Sequence, residues 1–166
     1  TSRLHETIKT MTEAVENYRF DHMAQAIYDF TWNEYCDWYL ELSKTVLNDD
    51  NTSEMQKRGT RRTLIEVLET ILRLAHPIIP FITEEIWQRV APLASKDGET
   101  IMLQPYPVFD EKQIDDHAVV EMEWAMEFIL GIRRIKAEMN IAPGKPVPVL
   151  LANATEADRT RLKHAL

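Results

Sequence analysis

The stretch Ala26-Ile-Tyr-Asp-Phe-Thr-Trp-Asn-Glu-Tyr-Cys-Asp-Trp-Tyr-Leu40 decides how this chain reads. Eight of the fourteen Phe, Trp and Tyr side chains in the 166-residue sequence fall between Tyr18 and Tyr39, most of them in this run. No glycine or proline interrupts it, so it is predicted to be one continuous helix, capped by Asp21 and running to about Asn48. Ile27, Thr31, Tyr35, Trp38, Leu42 and Val46 recur three or four apart and make one apolar stripe. Tyr28, Trp32 and Tyr39 fall on an adjoining stripe, which widens the apolar surface beyond a single core contact. Asn33, Glu34, Asp37 and Glu41 fill the remaining face. Such a helix is either the centre of a bundle or a surface that stacks on something flat.

Working outward, Leu4, Ile8, Met11 and Val15 give the segment from Ser2 to Asn17 a buried side at helical spacing. After the polar turn Asn48–Ser53, a third helix carries Leu64, Val67, Leu68, Ile71, Leu72 and Ala75 on one face. His76-Pro77 stops it, because the residue before proline is pushed out of the helical region. Pro80 opens a fourth helix, with Phe81, Ile82, Ile86, Trp87 and Val90 predicted to face inward. Four helices with short links form an antiparallel bundle by default. The Pro77…Pro80 and Glu84…Trp87 residues read as architecture, setting the corner between helices three and four.

From Pro92 the pattern changes. Ile101-Met-Leu-Gln-Pro105-Tyr-Pro107 is predicted to be extended, since two prolines restrict it. Asp116 can cap a fifth helix, broken by Ala142-Pro-Gly-Lys-Pro146. Val147–Ala152 then reads as an edge strand given Pro148, and Thr155-Glu-Ala-Asp158 as a capping box for a last helix. That helix is still running at Leu166. The expected fold is mainly α: an antiparallel helical bundle over residues 1–92, an extended linker over 93–116, and a small mixed α/β subdomain over 117–166.

Composition removes several functions. Four glycines and the absence of G-x-x-x-x-G-K or G-x-G-x-x-G patterns exclude nucleotide binding by phosphate loops. Cys36 is the only cysteine, so no internal disulfide or Cys-x-x-Cys zinc site can form, and it reads as an apolar filler in a reducing, cytoplasmic setting. His5, His22, His76, His117 and His164 stand at no metal-ligand spacing. Glu84 and Glu85 point about 100° apart on a helix and suit its first turn better than an acid/base pair. No serine or cysteine is set up as a nucleophile. No catalytic residue, metal ligand or cofactor is expected, and no apolar run is long enough to span a membrane. The chain begins without Met or a signal peptide and reads as an excised piece of something longer.

The net charge of −8 opposes nucleic-acid binding at first sight. It is unevenly spread: residues 1–116 hold 12 Lys and Arg against 21 Asp and Glu, whereas residues 117–166 hold 7 against 6. Arg133, Arg134, Lys136 and Lys145 face one acid, Glu138, between Gly131 and Pro146. Lys57, Arg58, Arg61 and Arg62 form a second basic knot. Local patches of this kind can meet phosphate despite the average sign.

Three separated motifs carry a resemblance. Phe30–Glu41 and Leu68–Trp87, with its Leu-Ala-His-Pro-Ile-Ile-Pro-Phe-Ile-Thr-Glu-Glu-Ile-Trp, resemble the anticodon-binding domain of class I aminoacyl-tRNA synthetases, within the branched-aliphatic subgroup. Gly131-Ile-Arg-Arg-Ile-Lys-Ala-Glu-Met-Asn-Ile-Ala-Pro-Gly-Lys145 is similar to the valine enzymes of bacterial type. Pro105-Tyr-Pro107 departs from the many relatives with tryptophan before the second proline. The resemblance implies a parent ligase that joins valine to its tRNA with ATP and Mg. This piece lacks its ATP-site signatures, editing domain and C-terminal coiled-coil arm. It implies a monomer whose partners are the anticodon loop and stem of tRNA(Val) and the catalytic domain of the same parent.

Loop bases are read by splaying them onto aromatic or guanidinium planes and bonding their edges. Trp32 is the candidate stacking platform and Asn33 the base-edge partner; the plainer alternative is that Trp32 is bundle core, and Trp38 and Tyr39 read as core. Arg19, just before the aromatic helix, is in reach of a base or phosphate. Arg133 and Lys136 share a helix face suited to phosphates, with Arg134 beside them and Asn140 one turn beyond. Arg58, Arg61 and Arg62 are weaker candidates, since charge runs often only solvate a helix. The rival readings are the isoleucine enzyme and a helical docking module with an aromatic interface.

Overall fold

The first helix, α1 (Ser2–Glu16), turns Leu4, Ile8, Met11 and Ala14 inward. Val15, predicted to be buried, is 41% exposed, because the inward stripe steps by three from Met11 to Ala14. The chain then turns through Tyr18, whose φ of 55° is left-handed. It is helical again from Phe20 to Asn48: α2 (Phe20–Asp29), a π-helix (Phe30–Leu40) and α3 (Glu41–Asn48). Arg19, not Asp21, occupies the N-cap position, and Asp21 lies in the first turn. The computed structural model describes residues 1–165, and side chains as far as Leu162; it divides into the units Thr1–Asp115 and Asp116–Leu166.

The π-helix alters the predicted register. A π turn closes i→i+5 and takes more residues per turn than an α turn. Buried positions accordingly step from Phe30 to Tyr35, five apart. Beyond it Ser43 is the buried residue of α3, where Leu42 was expected, and its Oγ donates to the Leu40 carbonyl at 2.8 Å. Tyr35 Oη donates to the Leu64 carbonyl at 3.1 Å and so ties this rod to the next helix.

That helix, α4 (Glu54–Ala75), starts at a capping box between Ser53 and Gln56. Val67, Ile71, Leu74 and Ala75 join Leu4, Ile8, Met11, Met23, Ile27, Phe30 and Tyr35 in the main core. On α5 (Pro80–Val90) the buried residues are Thr83, Trp87 and Val90. Phe81, Ile82 and Ile86, predicted to face inward, are 90%, 52% and 36% exposed. Polar contacts select the other face. His76 Nδ1 lies 2.8 Å from Thr83 Oγ1, and Trp87 Nε1 donates to the buried Glu69 at 3.0 Å. Glu69 is 1% exposed and holds the Arg73 guanidinium by bonds of 2.8 to 3.0 Å.

Residues beyond α5 fold back on this unit rather than lead away from it. 3₁₀ turns occupy Ala91–Ala94, Ile101–Leu103 and Glu111–Gln113. Ile101 joins Leu72, Trp87, Val90 and Ala91 in a second core. Glu84 accepts from Thr100 Oγ1 at 2.6 Å and from the Ile101 amide at 3.2 Å. Arg73 donates to the Pro105 carbonyl at 2.8 Å, and Tyr106 Oη to that of Leu74 at 3.2 Å. The Asp110 amide donates to His5 Nδ1 at 3.1 Å, returning the chain to α1.

The second unit contains α6 (Asp116–Glu138) and α7 (Glu156–Ala165). The Thr155–Asp158 capping box forms as predicted, with the Asp158 amide 3.2 Å from Thr155 Oγ1. Asp158 also accepts from Trp124 Nε1 at 2.8 Å, and Arg161 binds Glu121 at 2.9 Å while lying over the Trp124 ring. The predicted α/β character is not present: Val147–Ala152 forms no strand, and no strand occurs among the described residues. Pro146 and Pro148 supply no N–H, and a lone extended segment has no ladder to join. No residue of α6 is buried. Leu166 lies outside the described residues, so the expectation of a continuing last helix does too.

Candidate nucleic-acid interface

The π-helix sets Trp32 and Asn33 at the surface. Trp32 is 53% exposed and pairs with Tyr28, which is 58% exposed, at a ring separation of 6.4 Å and a tilt of 52°. The two rings are held one helical turn apart, because residues i and i+4 share a face. Both residues are more than half open to solvent, and a stacking surface requires such access. Tyr39, on the same stripe but read as core from sequence, packs half-buried against the core as expected; Trp38 is also half-buried. The added residues of the π turns account for this separation.

Asn33 is exposed and its amide bonds to no described residue, leaving two donors and an acceptor available. It lines an open pocket of about 300 Å³ with Arg3, Glu6, Thr7 and Thr10 of α1 and Ala26, Asp29, Phe30 and Glu34. Arg3 donates to Glu6 at 2.9 Å, and Gln25 to Asp29 at 2.8 Å. The pocket is rich in acceptors, so it suits the edge of a neutral heterocycle better than a phosphate.

Arg19 is exposed and committed to neighbours. Its Nε and Nη2 donate to Asp21 at 2.9 and 2.7 Å, and Nη2 lies 2.6 Å from His22 Nε2. The hydrogen bond from Arg19 holds the Asp21 carboxyl well below the usual carboxylate range, and the same bond raises the guanidinium. On α4, Arg62 donates to Glu66 at 2.7 Å and Arg61 lies 3.9 Å from Glu54. Arg58 is exposed with no charged partner among the described residues.

In the second unit Arg133 and Arg134 are exposed on α6. Lys136 is turned back on its own chain: Nζ donates to the Pro143 carbonyl at 2.8 Å and to the Lys145 carbonyl at 2.7 Å. Asn140 has a φ of 52°, and the Ile141 amide reaches the Lys136 carbonyl at 2.8 Å, closing the helix end. Both residues therefore shape the Ala142–Pro146 loop that carries Lys145. The candidates thus fall into two groups on separate units: Arg19, Trp32, Asn33, Arg58, Arg61 and Arg62, then Arg133, Arg134, Lys136 and Asn140. The exposed rings of Tyr18 and Phe20, 81% and 61% accessible, are an aromatic feature that spacing did not single out. The legible signal was the turn Asn17-Tyr-Arg19, which ends α1 without a glycine.

Among the described residues no His, Cys, Asp and Glu group is placed to hold a metal ion, and no helix is long and apolar enough to cross a membrane. Residues 1–151 match the family described as the anticodon-binding domain of tRNA ligase, and the chain belongs to that family. It is 50% identical over 161 residues to the valine–tRNA ligase of Coxiella burnetii. That alignment covers 97% of this chain and 18% of the relative, so the chain spans under a fifth of the relative's length.

Proposed function

We propose that this chain grips the anticodon stem-loop of tRNA(Val) on behalf of a valine–tRNA ligase, and that Trp32 and Asn33 are its base-reading pair. The observation that carries the reading is the exposed Trp32–Tyr28 pair beside the unbonded Asn33 amide, in a member of an anticodon-binding family. An unpaired base stacked on Trp32 would set its edge against Asn33, and the basic side chains would approach the backbone. Arg133 and Arg134 are the proposed phosphate contacts of the second unit. Joining valine to tRNA, with ATP and Mg, belongs in this proposal to a catalytic part of a longer cytoplasmic, monomeric enzyme.

The test is anisotropy titration with labelled stem-loops carrying valine and isoleucine anticodons, each also with the anticodons swapped. Affinity should follow the anticodon, and Trp32→Ala should weaken it about tenfold without unfolding the chain, since stacking contributes about 1–3 kcal/mol per base. An unchanged Kd for a folded Trp32→Ala would remove Trp32 from the site. A second surface favours a protein contact: Ile79, Phe81 and Ile82 of the α4–α5 corner are 49%, 90% and 52% exposed. We propose that this apolar face packs against the catalytic domain of the longer ligase.

A further inference from the structure

The turn between α1 and α2 presents a second aromatic feature. The Arg19 amide reaches back to the Ala14 carbonyl at 2.7 Å and the Tyr18 amide to that of Val15 at 3.1 Å, which closes α1 with Tyr18 in the left-handed position. Glycine is the residue this position favours, because a Cβ there crowds the following carbonyl. A bulky aromatic is unfavourable, and Tyr18 recovers nothing by packing, being 81% exposed. Phe20, two residues on, is 61% exposed and lines an apolar groove of about 580 Å³ with Val15, Met23, Pro77, Ile78 and Tyr106.

Arg19 stands between them in sequence, and its Nε and Nη2 are taken by Asp21. A guanidinium held this way has little of its fork left for a phosphate, but its flat faces remain available for stacking. Asp21 and Glu16 also flank the turn, and their charge repels phosphate while leaving the neutral face of a base unaffected. Two rings and a guanidinium plane are the surfaces on which unpaired bases stack. We propose that Tyr18-Arg19-Phe20 is a stacking site for an unpaired RNA base, separate from Trp32. The proposal rests on the RNA reading above.

The experiment uses the 166-residue chain, thermal unfolding, and anisotropy with a labelled RNA hairpin bearing a seven-nucleotide unpaired loop. Tyr18→Gly should raise Tm by about 2–4 °C, by relieving the backbone, while weakening RNA binding about tenfold. Tyr18→Phe should leave both at wild-type values, and Phe20→Ala should weaken binding without Tyr18→Gly's gain in Tm. If Tyr18→Gly lowers Tm, the ring belongs to the fold and the proposal is overturned. If Tyr18→Gly and Phe20→Ala bind RNA as wild type does while Trp32→Ala is impaired, the RNA reading stands, this site is wrong, and the turn faces a protein instead. A wild-type chain that binds no hairpin overturns both.

Discussion

Glu69 shows how one buried charge organises its surroundings. It accepts from Arg73 and from Trp87 Nε1, while Arg73 extends to the Pro105 carbonyl, so α4, α5 and the following segment meet at one carboxylate. Removing one partner of a buried pair costs about 3–5 kcal/mol, because the other is left uncompensated. Glu69→Gln should therefore lower the stability measured by urea unfolding by at least about 3 kcal/mol. The double change Glu69→Leu with Arg73→Met should recover only part of that loss, because the buried Trp87 Nε1 is left without its acceptor. An unchanged urea midpoint for Glu69→Gln would mean that the pair is dispensable. Nothing in the sequence marks Glu69 as buried: it sits at an i,i+4 spacing from Arg73 that most often denotes a surface pair. The exposure of Trp32 and Asn33 was more legible, since Trp32 lies on a stripe beside the core stripe and Asn33 on the polar face. Lys136 and Asn140 were less so. Their types suit RNA contact equally well, and only geometry reveals that they shape a loop.

Among the elements, the aromatic helix was foreseen from the absence of glycine and proline between Tyr18 and Asn48. Its π segment was not, because a π turn depends on how the helix fits its neighbours rather than on a residue type. The change matters beyond the run, bringing Ser43 inward where Leu42 was expected, while Trp32 stays outward. On α1, His5 is the contact that returns the chain from residue 110. Burial lowers its pKa from the ordinary 6.5, against the opposing pull of Asp110, and its neutral Nδ1 accepts the Asp110 amide. The unfolded chain thus binds this proton more readily than the folded one. The His5 contribution is present above about pH 6.5 and is lost as pH falls through the lowered folded value. Tm should drop between about pH 7.5 and about pH 5, and less steeply in His5→Gln; parallel pH profiles would remove His5 as a source.

At the scale of the molecule, charge is the property to test. The acidic first unit and the near-neutral second predict that phosphate contacts are few and local. Arg133→Ala with Arg134→Ala should reduce the slope of log affinity against log salt by about 1–2, roughly one for each phosphate no longer neutralised. An unaltered slope would place both arginines away from RNA.

Helix positions, the Thr155 start and the Pro77–Pro80 corner follow from sequence alone, because periodicity, capping and proline act within a few residues. So does family membership, which rests on long motifs. Which face of α5 is buried was decided only in three dimensions, where Glu69 and His76 select Trp87 and Thr83 over Phe81 and Ile82. Val147–Ala152 has strand-like residues, yet a strand exists only when another pairs with it. Residue type states what a side chain can bond to; the tertiary structure decides which partners are within reach.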